Sequence, residues 1–204
     1  MNDNGGWIWL VPIRAHESFV DKSIDCKKIA AQILESRINP NFPDRKEFVD
    51  VFTGVDYVLP KTPETQMLKE EIELIANNVI GELKVVDMWC GVLEKGQSTP
   101  FHRHSSNGHL YPEEYWSGVV YLDPVNTDCR LCLYGEAMNA YNMVTKIEPA
   151  EGKIVFFNSF VPHMTERHTG DRPRVCVSFN LHPLNPNTNI YPDMSPWAGE
   201  DTNN

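Results

Sequence analysis

The segment "GQSTPFHRHSSNGHLYPEEYWSG" (96–118) holds three of the chain's seven histidines within eight positions. His102 and His104 are separated by one residue, and His163 follows about sixty residues later in "EGKIVFFNSFVPHMTER". In an extended chain the side chains at i and i+2 share a face. The H-x-H pair therefore offers two neutral imidazoles to one point. His163, after the apolar run Ile154–Phe157, falls at a strand end and can supply a third ligand. Three protein ligands leave coordination positions open, as a catalytic metal requires. Mixed histidine and carboxylate sites with open positions suit iron(II) oxygen chemistry, whereas imidazoles alone also suit zinc, copper or nickel. Glu113 and Glu114, just ahead of a strand, are the nearest carboxylates that can add an oxygen ligand. His109 reads as a surface residue, and His16, His168 and His182 as structural or solvated.

Arg174 opens the run "RVCVSFN", eleven residues after His163. A guanidinium at the start of an apolar strand reaches the rim or pairs with an anion. Its planar fork suits a carboxylate held by two hydrogen bonds. Ser178, four positions on, shares its face. Should this strand lie beside the one ending near His163, Arg174 points into the mouth of a barrel, and the combination predicts a small carboxylic acid bound near the metal. The competing partners for Arg174 are Asp171 and Glu166. Arg172 is the competing arginine, set apart from the strand by Pro173.

These residues need a frame. "WIWLVPI" (7–13) reads as a first strand and 48–52 as another. Residues 23–38 form an amphipathic helix with Cys26, Ile29, Ala30, Ile33 and Leu34 on one face and Ser23 as its cap. A second helix starts at Thr62-Pro63 and runs to residue 83, with Leu68, Ile72, Ile75, Val79 and Leu83 inward. From residue 84 the character changes to short β-rich runs between turns, the pattern of an antiparallel sandwich or barrel. The expected organisation is an N-terminal strand and two packing helices (1–84) belonging to the same domain, a β core over 85–184, and an irregular tail over 185–204. Trp89 and Trp116 are candidates for pocket lining or core. The stretch 105–114 reads as an insertion.

The chain has 204 residues and a net charge of −10, enough for one domain and unlike a nucleic-acid or anionic-membrane binder. Five cysteines, an odd count, and no signal-like segment point to a reduced, cytoplasmic protein. Cys129 and Cys132 form a CxxC without a second pair, which reads as two strand residues. Composition leaves the oligomeric state and the substrate, small molecule or peptide, open.

Together these residues resemble the iron(II)- and 2-oxoglutarate-dependent oxygenases, whose fold is a double-stranded β-helix, a jelly-roll or cupin-like barrel. The likeness is most specific in "EGKIVFFNSFVPH", which is similar to the distal-histidine strand of the prolyl-hydroxylase branch. Arg174 and Ser178 fall where that family holds the far carboxylate of 2-oxoglutarate. "SGVVYL" is similar to the family's "YYLN" strand, which implies that Tyr121 touches the same cosubstrate. The pattern over 85–182 resembles a group of uncharacterised oxygenases of marine bacteria and phages. The resemblance implies Fe(II) on His102, His104 and His163, and 2-oxoglutarate as cosubstrate. It also implies an oxidised, most often hydroxylated, product, with succinate and carbon dioxide released. The family usually reads His-x-Asp or His-x-Glu where this chain reads His-x-His. If His104 is instead the first ligand, the acid position is Ser106. A carboxylate then comes from Glu113 or Glu114, or is absent, as in similar halogenases. Gly96, five residues, His102 and His104 also resemble the first motif of a cupin, a metalloenzyme that needs no keto acid. A non-catalytic binding or assembly barrel is the third reading.

Overall fold

The computed structural model describes residues 6–10, 13–38, 56–104, 115–126, 128–137 and 140–184. In chain order these form β1 (Gly6–Leu10), β2 (Ile13–Phe19), α1 (Cys26–Ile38), β3 (Asp56–Val58), α2 (Pro63–Val79) and β4 (Leu83–Leu93). They are followed by β5 (Trp116–Asp123), β6 (Leu131–Ala137), β7 (Ala140–Ile147), β8 (Lys153–Asn158), β9 (His163–Thr165) and β10 (Arg174–Pro183). The expected strand at 48–52, the insertion at 105–114 and the tail from 185 lie outside the described residues.

Two antiparallel sheets face each other. The larger has the order β1-β2-β8-β5-β10-β4-β3, the smaller β7-β6-β9. Residues 96–104 extend the smaller sheet along β9. His102 and His163 exchange backbone bonds of 3.0 and 2.8 Å, and Thr165 donates to Thr99. The chain thus alternates between sheets: β4 in the larger, 96–104 in the smaller, β5 in the larger, β6 and β7 in the smaller, β8 in the larger, β9 in the smaller, β10 in the larger. That winding is the double-stranded β-helix.

Side-chain alternation divides the large sheet's two faces. Val120, Leu122, Ile154, Phe156, Val175, Val177, Phe179 and Leu181 pack against Ile29, Ile33, Leu68 and Ile72 of the two helices. Val119, Tyr121, Val155, Phe157 and Cys176 face the smaller sheet and meet Leu131, Leu133 and Ile147. β5 is buried on both faces, so its sequence reads as an apolar run rather than as an alternation.

Several boundaries differ from expectation. The single N-terminal strand is two strands, β1 and β2, paired antiparallel with each other. β2, whose polar "RAHES" hides the period, pairs with β8. The cap of α1 is Asp25, whose carboxylate accepts from Lys28 N at 2.9 Å; Ser23 sits in the preceding turn and donates to Asp21 instead. α2 ends at Val79, and Leu83 opens β4 rather than closing a helix. Thr62 caps α2 as a capping box with Thr65, satisfying backbone donors that a helix start otherwise leaves open.

Candidate active site

The register of the large sheet arranges its inward residues in rows across the strands. Asp87, Asn180, Ser117 and Phe157 form one row; Trp89, Ser178, Val119 and Val155 the next; Gly91, Cys176 and Tyr121 the third; Leu93 and Arg174 the last. A register shift between Asn180 and Leu181 falls beside the first row. Such irregularities re-aim side chains next to active sites.

The three histidines gather above the first row. Their ligand atoms all lie within 4.8 Å of one another. His102 and His104 come from the 96–104 segment, and His163 from its backbone partner β9. The H-x-H spacing thus does bring both rings to one side. His163, however, opens a three-residue strand of the smaller sheet, after the turn that follows β8.

Each ring is tethered through Nδ1. His102 Nδ1 lies 2.7 Å from Pro100 O, and His163 Nδ1 lies 2.9 Å from Val161 O. His104 Nδ1 lies 2.8 Å from Asn180 Oδ1 and 3.0 Å from Ser117 Oγ. Carbonyl and amide oxygens only accept, so the Nδ1 atoms carry the protons and the Nε2 lone pairs are left bare. His102 Nε2 and His104 Nε2 stand 3.1 Å apart. With no proton on either, that contact sets lone pair against lone pair unless a cation lies between them. The donor set therefore fits a metal ion. Burial, together with the neighbouring His102, pushes the His104 imidazole down to about 4 against the rise from its Asn180 bond. Burial pushes His163 well below the usual imidazole range, and the His104 and His102 rings add to it. Both are neutral near pH 7, the form that binds metals.

Below the histidines is a cavity with about 560 Å³ of empty space, its open mouth included. Tyr121, Ser178, Arg174, Thr99, Thr165 and Cys176 line it, with Val119, Leu131 and Phe157 as apolar wall. Arg174 is only 2% exposed and lies in the deepest row, not at the mouth. The reason is that β10 runs between β4 and β5 rather than beside the strands flanking His163. Its guanidinium sits 5.1 Å from the centre of the Tyr121 ring. Arg174 Nε and Tyr121 Oη are buried without hydrogen-bond partners. Burial raises the Tyr121 phenol, which stays a neutral donor. Neither expected acid pairs with Arg174: Glu166 is taken by Arg130 and Lys146, and Asp171 by Lys95. Arg172 bonds Asp123 at the surface. A buried guanidinium with no carboxylate partner and an unbonded Nε, beside a phenol in the same cavity, is a socket for a carboxylate.

Trp89 lines the cavity, its ring 5.5 Å from that of His104, whereas Trp116 is buried on the helix side. His168 is buried, its Nε2 2.9 Å from Arg172 O, and His182 stacks edge-on against Tyr115. His109, Ser106, Glu113 and Glu114 lie outside the described residues. Sequence reasoning missed Asn180 and Ser117. The signal for Asn180 was its place two residues after Ser178, on the same inward face.

Residues 87–180 match the family model described as "Putative 2OG-Fe(II) oxygenase". Among curated proteins, none matches the chain. Among solved structures, AviO1 from Streptomyces viridochromogenes Tue57 is similar at 16% identity and TM-score 0.62, over 83% of this chain and 90% of that one. A Pseudomonas putida prolyl-4-hydroxylase is similar at 14% identity and TM-score 0.61, over 87% and 96% of the two chains. HygX from Streptomyces hygroscopicus, solved with nickel and 2-oxoglutarate bound, is similar at 15% identity and TM-score 0.60, over 84% and 83%. At such identities the likeness speaks for the fold alone. The matched segment begins in β4, ends at Asn180 and spans all three converging histidines and Arg174. Over that segment, just under half of the chain, the sequence is similar to the iron(II)- and 2-oxoglutarate-dependent oxygenases.

Proposed function

We propose that the chain hydroxylates a small molecule or peptide, with His102, His104 and His163 as iron ligands and Arg174, Ser178 and Tyr121 as the 2-oxoglutarate site. The observation that carries this reading is the pairing of two incomplete sites in one cavity. Three bare Nε2 atoms converge as donors for a cation, and a buried guanidinium and phenol offer donors to an anion. When bound, iron supplies the oxidising chemistry, in which one atom of dioxygen enters the substrate and the other enters succinate as carbon dioxide leaves. The chain's own residues bind and orient. Arg174 and Tyr121 fix the far carboxylate, and Ser178 adds a hydroxyl from the same strand face. Val119, Leu131 and Phe157 keep water from the wall beside them. The all-histidine set supports a reading without a carboxylate ligand. Five free, buried thiols support a cytoplasmic location, and the acidic charge supports a partner other than nucleic acid.

The test is anaerobic titration. Fe(II) followed by 2-oxoglutarate is expected to give a visible charge-transfer band, and admission of air to give succinate. Arg174→Ala should weaken the keto acid roughly 30-fold or more, the cost of truncating one partner of a buried charge pair, and leave Fe(II) affinity nearly unchanged. Equal weakening of both would remove Arg174 from its role. Metal binding without the band would favour the cupin reading.

A further inference from the structure

His102 and His163 are tethered by carbonyls two residues away, which local backbone geometry provides. His104 is different: its Nδ1 meets only side chains, from two other strands. These partners are joined. Ser117 Oγ lies 2.8 Å from Asn180 Oδ1 and 2.8 Å from Ser159 Oγ. Ser117 and Ser159 are buried, at 0% and 7% exposure, so water does not stand in for them.

Counting protons gives one consistent solution. Asn180 Oδ1 only accepts. Ser117 gives it its single proton, and Ser159 donates to Ser117. His104 must then carry its own proton on Nδ1, shared between Oδ1 and Oγ. Only this arrangement leaves His104 Nε2 bare. With the amide reversed, Nδ2 would donate to Nδ1 and the imidazole proton would move to Nε2. It would then point at His102 Nε2, 3.1 Å away, and block the position between them.

We propose that Asn180, backed by Ser117 and Ser159, is a positioning residue that holds His104 in the Nδ1–H tautomer and so makes its Nε2 available. The inference rests on the reading of the three histidines as metal ligands. Neighbouring groups of this kind orient metal-binding imidazoles, and their loss typically costs 10–100-fold in metal affinity. Loss of Asn180 would do more than remove an acceptor. Ser117, left without the amide oxygen, can donate to His104 Nδ1 and stabilise the wrong tautomer.

The test uses the full chain, ¹⁵N-labelled and metal-free. Long-range ¹H–¹⁵N spectra read the His104 tautomer, assigned by the signals that vanish in His104→Gln. Anaerobic calorimetry reads Fe(II) affinity separately. Wild type should show the Nδ1–H form. Asn180→Leu, of similar shape, should show substantial Nε2–H form and bind Fe(II) roughly 10–100-fold more weakly. Asn180→Asp, which still accepts, should restore both readouts. Should Asn180→Leu fail to fold, Ser117→Ala carries the test, since it frees the amide to turn and predicts the same tautomer change. Weaker Fe(II) binding with His104 unchanged would overturn the proposal, as would wild-type affinity with the proton moved. A wild-type chain that binds no Fe(II) would overturn the ligand reading itself, and the positioning role with it, even with the Nδ1 proton in place.

Discussion

Arg174 is buried at 2% exposure, and among the described residues no carboxylate pairs with it. Its Nε and the Tyr121 hydroxyl beside it have no partners. A buried charge held without an anion costs stability, and apolar replacements of similar volume often relieve that cost. Arg174→Met is therefore expected to make the ligand-free protein more stable, by about 1–3 kcal/mol, while 2-oxoglutarate binding is lost. Thermal melts without and with the keto acid read both effects. A variant that is destabilised would show that Arg174 serves packing rather than anion binding. At this scale the sequence was informative where chemistry lies in residue type. Imidazoles two apart and an arginine opening an apolar strand announce themselves. Asn180 and Ser117 did not, because amides and hydroxyls occur in every strand and only the strand register shows what they touch.

The elements were legible where burial is one-sided and periodic. Both helices show their inward faces, and the β-rich runs from residue 84 each mark a strand. The short pieces that build the site were not. β9 spans three residues, and the 96–104 segment is an extended chain whose partner lies some sixty positions away. Neither is long enough to show a period. Glycine 118 illustrates what the strand pattern alone cannot say. It lies between Phe156 and Phe179 in register, and a Cβ there would meet the Phe179 ring at 2.3 Å and Val155 O at 2.4 Å. A backbone oxygen within a central strand cannot retreat. Gly118→Ala is expected to cost about 3 kcal/mol, seen as a lower urea midpoint with unchanged slope. It should also weaken metal binding, because its neighbour Ser117 holds His104. A neutral outcome would mean that β5 and β10 separate more easily than this register implies.

The whole molecule places its candidate ligands so that an ion would act as a staple. His102 and His104 belong to a segment attached to the smaller sheet through β9, and His104 is also tied to the larger sheet through Asn180 and Ser117. An ion on all three imidazoles would join the 96–104 segment to β9, and His104's bonds to Asn180 and Ser117 would carry that constraint to the larger sheet; an unfolded chain holds no such site. Binding to the folded state alone stabilises it by about 2.7 kcal/mol at a hundredfold excess over Kd. For a chain of this size that raises Tm by roughly 5–10 °C. The shift should vanish in His163→Ala, which leaves the H-x-H pair but removes the β9 ligand. Exchange through local opening should slow most in 96–104 and β9 upon metal addition, and least for those local openings of α1 and α2 that leave the site intact, since the helices pack on the opposite face of the large sheet. A metal-dependent Tm that survives His163→Ala would place the ion elsewhere. Protection spread evenly over both helices would mean that the ion stabilises the fold globally rather than by joining these two edges.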